Sequence, residues 1–220
     1  MNADTPNATT QQIQPKIPHT IWVLVGAAFI IALGYGLIAP VLPQFAGSFG
    51  VSMAAAGAVI SVFALARLLG AQGAGVLVDK LGSRPIYLTG LLIVAASTFF
   101  VAFAQAYWQI VALRFIAGFG STMFTLSAQA LIVRVTHPSI RGRASALYAS
   151  AFLVGNVVGP VIGAALSFLG FRAPFMIYGV AVAGAAIAVG ALTAPKPGSH
   201  PLPVAKPKMR LRQAWRTPTY

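Results

Sequence analysis

Six long apolar runs, separated by short breaks that collect charge, proline and glycine, organise the chain between residues 21 and 194. They lie near 21–42, 53–78, 86–104, 108–134, 143–169 and 174–194. A helix rises about 1.5 Å per residue, so roughly 20 residues cross a hydrocarbon layer of about 30 Å. Each run reaches or closely approaches that length, and the pattern predicts an all-α membrane protein with six transmembrane helices. The breaks are Pro43 to Ser52, Asp79 to Pro85, Gln105 to Tyr107, Val135 to Gly142 (with His137, Pro138 and Arg141), and Gly170 to Ala173.

The ends read differently. Residues 1–19 are polar, contain Pro6, Pro15 and Pro18, and are expected to form a disordered arm. The first run is too long for the core of a signal peptide, and no small-residue cleavage site ends it cleanly, so it counts as a span. Residues 20–194 then form the bundle, and 195–220 a basic segment. That segment opens with the proline-rich stretch Pro195 to Pro207 and continues in Met209 to Trp215, a candidate surface helix.

Composition supports a lipid surround. Apolar residues make up 58% of the 220-residue chain and charged residues 8%, against about 25% charged in a soluble domain. Mean hydropathy is +0.82. The net charge of +13 is not gathered into a patch of the kind that binds nucleic acid, so no nucleic-acid partner is expected. Cysteine is absent, and His19, His137 and His200 are far apart in sequence, which gives no metal-ligand spacing. With Asp4 and Asp79 as the only acids and no nucleophile–base pair, neither enzymatic chemistry nor a cofactor is expected.

The positive charges give an orientation. Lys16, Lys80, Arg84, Arg134, Arg141, Arg143 and the six bases from Lys196 to Arg216 fall on one side of an even-numbered set of spans, and Arg172 alone on the other. Twelve against one predicts that both termini are cytoplasmic in a multi-pass cell (inner) membrane protein. Trp22, Tyr107 and Trp108 sit near span ends, where amphipathic rings favour the interface. Arg67 and Arg114 remain inside spans.

Four stretches carry candidate chemistry. The break between the second and third spans reads Gly75-Val76-Leu77-Val78-Asp79-Lys80-Leu81-Gly82-Ser83-Arg84-Pro85. It is a tight hairpin, in which an acid at a helix C-terminus opposes the macrodipole and needs another stabiliser. Read plainly, it is a charged turn that sets topology. The first span ends Leu33-Gly34-Tyr35-Gly36-Leu37-Ile38-Ala39-Pro40-Val41-Leu42-Pro43, a kinked packing helix on its own terms. In the fourth span Arg114, Gly118, Ser121, Thr122, Thr125 and Gln129 recur at three- and four-residue steps and share a face that should look into a bundle or cavity. A buried arginine costs about 2.5–3.5 kcal/mol on insertion scales, which points to use; the alternative is that Arg114 snorkels to the outer interface. In the fifth span Gly155, Gly159 and Gly163 form a small-residue stripe with Pro160 beside it. Arg67 could line a cavity or bond to a neighbouring helix, and Gln72 is assigned a structural place.

These four stretches, in this order, resemble motifs of the major facilitator superfamily, and in particular of its twelve-helix drug:proton antiporter family. Gly75, Asp79, Lys80, Gly82 and Arg84 match the family's loop between helices two and three, with Ser83 where a base is usual. The first-span string is similar to the antiporter motif of helix one. Arg114-Phe115-Ile116-Ala117-Gly118-Phe119-Gly120 is similar to the helix-four motif, and Gly155-Asn156-Val157-Val158-Gly159-Pro160-Val161-Ile162-Gly163 to that of helix five. The resemblance covers about residues 20–220.

The resemblance implies two inverted three-helix repeats, the N-terminal half of the fold, with the cavity wall completed by a missing C-terminal six-helix half. It implies a conformational latch at Gly75, Asp79, Lys80, Gly82 and Arg84. It implies proton coupling or cavity roles for Arg114, Tyr35, Thr122, Thr125, Gln129 and Asn156. The helix-five residues Gly155, Gly159, Pro160 and Gly163 would pack against the second half and limit leak. The partners implied are the lipid bilayer, protons and a small-molecule substrate, and the activity is proton-coupled efflux of small organic compounds. An uptake porter for a sugar or organic anion, and a non-transporting membrane subunit that needs a second half, are the alternatives. The first span lacks the acid that many drug antiporters hold there, so a cavity with Arg114 suits a neutral or anionic substrate better than a dication.

Overall fold

The computed structural model describes residues 16–193, and these fold as helices joined by turns. The helices are α1 (His19–Ile38), α2 (Val41–Gly47), α3 (Met53–Leu81), α4 (Ser83–Val101), α5 (Tyr107–Val135), α6 (Arg141–Ala165) and α7 (Ala173–Leu192), with short 3-10 turns at Pro138–Ile140 and Ser167–Leu169. Among the described residues, six helices are long and apolar enough to cross a membrane: all but α2. Most of the expected arm 1–19 and the whole basic segment 195–220, including the candidate helix Met209 to Trp215, lie outside the described residues.

The six expected spans are present, with one difference in kind. The first run, 21–42, is not one helix. It ends at Ile38, turns through Ala39 and Pro40, and restarts as α2. Pro40 has no N–H to continue the ladder, and the Pro43 ring conflicts with the carbonyl four residues back. The Gln44 side chain donates to the Pro40 carbonyl at the start of α2, at 3.0 Å. Elsewhere the ends shift by a few residues. α4 begins at Ser83 because Gly82, at φ +91°, is all that separates it from α3. An L side chain rarely adopts that backbone, so glycine permits the abrupt turn.

The helix pairings carry an internal symmetry. α1 packs on α6 and on α7; α5 packs on α3 and on α4; α4 packs on α7. Exchanging the first three spans (α1, α3, α4) with the last three (α5, α6, α7) in order turns α1·α6 into α5·α3 and α4·α5 into α7·α1, and returns α4·α7 to itself. This pairing is that of two three-helix repeats, as the resemblance implied.

Lipid gives helices no hydrophobic incentive to associate, so contact rests on close packing, and small residues make it possible. The α1–α6 contact is the clearest case. A Cβ on Gly155 would stand 2.7 Å from the Phe29 carbonyl oxygen, and one on Gly163 2.8 Å from that of Leu37. One on Gly159 would collide with the Leu33 carbonyl and Gly36, and one on Gly36 would meet Pro160 at 2.8 Å. The helix-five stripe thus faces α1 of the same bundle, backbone to backbone. This differs from the expectation that its glycines face a second half. What α6 turns outward is Leu153, Val154, Val157, Pro160 and Val161. α3 similarly exposes Leu65, Leu68 and Leu69.

Replacing Gly159 with leucine is expected to destabilise the bundle by about 1–3 kcal/mol or more through overpacking. Gly26→Leu, where an added Cβ meets nothing within 4 Å, should be close to neutral. Thermal unfolding of both variants in detergent checks this, and equal midpoints would contradict the α1–α6 contact.

Candidate functional site

Arg114 is the polar group that the bundle explains least. It lies about 10 Å along α5 from Tyr107, at seven residues of helical rise. It is 3% exposed. Its side chain is enclosed rather than extended to the end of the bundle, so it does not snorkel. Its Nε and one terminal nitrogen are buried and have no hydrogen-bond partner among the described residues. The guanidinium carbon sits 5.6 Å from the centroid of the Phe63 ring on α3, within cation–π range. Arg67, one turn after Phe63, approaches the same ring at 6.0 Å, and Tyr35 of α1 packs on it at 5.8 Å between centroids.

These residues border a cavity of about 90 Å³ between α1, α3, α4, α5, α6 and α7. Tyr35, Phe63, Arg67, Thr98, Arg114, Ser121, Phe152 and Tyr178 contribute to its wall, with Ile31, Val94 and Phe124 closing the apolar side. Thr98 Oγ1 is a further buried polar atom on this wall with no partner among the described residues. A second cavity of about 90 Å³ adjoins the first, shares Tyr35, Phe63 and Arg114 with it, and is otherwise lined by Ile38, Ala39, Leu42 and Ile60.

The polar face expected on the fourth span divides. Arg114 and Ser121 reach the cavity. Gly118 instead receives α3, since a Cβ there would lie 2.6 Å from the Phe63 carbonyl oxygen. Thr122 donates to the Arg67 carbonyl oxygen at 2.9 Å and holds the same interface. Thr125 bonds back to the Ser121 carbonyl at 2.7 Å, and Gln129 is exposed. At 100° per residue the six positions cover roughly 100° of arc, wide enough to meet both a neighbouring helix and the cavity. Asn156 donates to Phe152 O of its own helix at 2.9 Å and stands at the α1–α6 contact, away from the cavity wall. Tyr35 does line both chambers.

Sequence reasoning missed Phe63, Thr98 and Tyr178. Phe63 had a signal: it precedes Arg67 by four residues and so shares its face. Tyr178 and Thr98 had none, because their partners at the cavity come from other helices.

At the basic end of the bundle, Asp79 and Lys80 are exposed. Arg84 turns inward. Its Nε donates to Thr193 Oγ1 at 3.2 Å and its terminal nitrogen to the Gly190 carbonyl oxygen at 2.5 Å. A cation is thereby placed on the last carbonyls of α7, where the helix end is negative. Gly75 is half-buried, and Ser83 is 2% exposed with its hydroxyl unpartnered among the described residues. Of the five latch candidates, Asp79 and Lys80 are presented outward, Gly82 makes the turn, Arg84 ties it to α7, and Gly75 lies within α3 with nothing within 4 Å of an added Cβ. His137 caps the turn at Pro138, with Nδ1 2.8 Å from the Ser139 hydroxyl. Among the described residues no His, Cys, Asp or Glu cluster could hold a metal.

Arg84→Gln should cost about 1.5–3 kcal/mol, the usual worth of a hydrogen bond to a charged group, and should loosen the last turn of α7. Faster amide hydrogen exchange at Ala191 to Thr193 is the expected readout, with Lys80→Gln as the neutral control. Unchanged exchange in Arg84→Gln would contradict this tie.

Comparisons with known proteins agree with this geometry. The sequence model of the Major Facilitator Superfamily matches residues 24–219. "Multidrug resistance protein MdtG" of Salmonella schwarzengrund (strain CVM19633) is 34% identical over 167 residues, covering 74% of this chain and 41% of that protein. The protein of the same name from Dickeya zeae (strain Ech586) is 31% identical over 165 residues, covering 73% and 40%. The chain therefore spans about 41% of the length of the curated relatives it matches. The crystal structure of the human organic anion transporter MFSD10 (TETRAN) superposes with a TM-score of 0.70 at 21% identity, over 82% of this chain and 48% of that one, which shows a shared fold. Six apolar helices paired as two repeats, together with a family match over most of the chain, establish that this multi-pass membrane protein belongs to the major facilitator superfamily.

Proposed function

We propose that the chain is the N-terminal six-helix half of a secondary transporter that exports small organic compounds in exchange for protons by alternating access, with both termini in the cytoplasm. The observation that carries this reading is Arg114: a buried cation on a cavity, two of whose nitrogens have no partner among the described residues, in a chain otherwise almost free of charge inside its spans. Packing alone gives no reason to bury it, since an uncharged side chain would avoid the insertion cost of about 2.5–3.5 kcal/mol. A group that meets substrate or responds to a proton does give a reason.

Three further features support the reading. α3 and α6 turn apolar side chains away from the bundle along their length, which suits a second half docked against those two helices. Asp79 and Lys80 are exposed beside them at the basic end, where a latch to that half would form and release. The direction, efflux, follows the multidrug resistance relatives and the helix-five resemblance.

The test is transport by the complete protein in liposomes under an imposed pH gradient, measured with and without a protonophore. Asp79→Asn is expected to slow gradient-driven transport about tenfold, equivalent to ~1.4 kcal/mol in the barrier, with the amount of protein in the membrane unchanged. Wild-type rates in that variant would contradict the latch.

A further inference from the structure

We propose that the paired cavities form a bipartite site for a small amphipathic monoanion, whose anionic head is held by Arg114 and Arg67 and whose apolar body lies beside Ile38, Leu42 and Ile60. This rests on the transporter reading above and names its substrate class. Two guanidinium groups converge on the single ring of Phe63, at 5.6 and 6.0 Å. Like charges so placed repel one another, and Phe63 offers each only a quadrupole. No acid lines either chamber, and the one acid among the described residues, Asp79, is exposed at the far end of α3. A ligand that carries negative charge supplies what the described part of the wall lacks.

The donors on Arg114 suit an oxyanion. A guanidinium presents N–H groups in a planar fork that matches a carboxylate or sulfonate, and two of its nitrogens are buried and unpartnered among the described residues. Thr98 adds a buried hydroxyl on the same wall. The chamber of about 90 Å³ admits a group of several water-sized units, since one water needs roughly 10–15 Å³ on this measure. That accommodates an anionic head and excludes a large body. The adjoining chamber, of similar size, has apolar side chains where the first has polar ones. Tyr35, Phe63 and Arg114 border both, so a ligand can place its head on one side of Arg114 and its body on the other.

Three probes with one body and different heads test this: 4-phenylbutyrate, 4-phenylbutanol and 4-phenylbutylamine. Binding is measured by isothermal titration to the complete gene product in phosphatidylcholine nanodiscs. The acid is expected to bind at least tenfold more tightly than the alcohol, and the amine more weakly than either. Arg114→Gln should weaken the acid at least tenfold and the alcohol less than twofold, with Arg114→Lys between. If Arg114→Gln does not yield folded protein, the wild-type comparison and Arg67→Gln, at an exposed position, still decide; Arg67→Gln should weaken the acid three- to tenfold. An amine or alcohol bound as tightly as the acid overturns the proposal, as does an acid affinity unchanged in Arg114→Gln. A lipid phosphate has the same chemistry. Affinity for the acid that holds in nanodiscs containing one-third phosphatidylglycerol supports a soluble acid, and competitive loss assigns the site to lipid and overturns the substrate class. Selective acid binding without gradient-driven movement of the acid would leave this site standing and overturn the exporter reading. Proton-driven efflux of the amine, without selective acid binding, would do the reverse.

Discussion

Association of helices in lipid sets the terms for this chain. Hydrocarbon competes for apolar surface as well as another helix does, so nothing pushes the spans together except the contacts they make. Backbone polar groups must also be satisfied within each helix. The chain meets both conditions with long helices and glycine at the crossings. Gly155, Gly159 and Gly163 let α6 lie against the backbone of α1 around Phe29, Leu33 and Gly36. Gly118 does the same for α5 against α3 at Phe63 and Ala66. These two crossings are equivalents under the exchange of the repeats, so one packing solution is used twice. Phe63 and Arg67 are held at the second crossing, and the position of the cavity follows from it.

Close packing at the crossings makes the cavity between them conspicuous. The chain places Arg114 on a cavity that five other helices help to line, with Tyr35, Phe63, Ser121 and Tyr178 on its wall rather than an acid. In a soluble protein the charge could reach water along a flexible stem. Here the side chain is 3% exposed, and its neighbours supply a ring face and hydroxyls. Such a site is poised for a ligand that brings negative charge.

The spans were legible because hydropathy over roughly 20 residues is a strong signal and the breaks between them are short. The helix break after Ile38 was less so. Pro40 and Pro43 are visible in the sequence and predict a kink, but whether a proline bends a helix or ends it depends on the surrounding packing, which local sequence does not contain. The fourth-span face was legible as a face but not as a division of labour. Thr122 serves the α3 interface and Gln129 is exposed, a division that the shared face does not reveal. The sequence places Arg84 in a charged loop, while its bond to Gly190 joins residues 106 positions apart, a relation no local pattern contains. Tyr178 and Thr98 were invisible for the same reason.

The account depends most on how the chain threads the bilayer, because the cavity, the basic end and the outward faces of α3 and α6 all presume it. These 220 residues contain no cysteine, so each introduced one is the sole reporter within them. Single cysteines at Lys80, Ser139 and Phe171 can be challenged with a membrane-impermeant maleimide on intact cells and after permeabilisation. The account predicts that Phe171→Cys labels on intact cells while Lys80→Cys and Ser139→Cys label only once the membrane is opened. Labelling of Lys80→Cys and Ser139→Cys from opposite sides would contradict it.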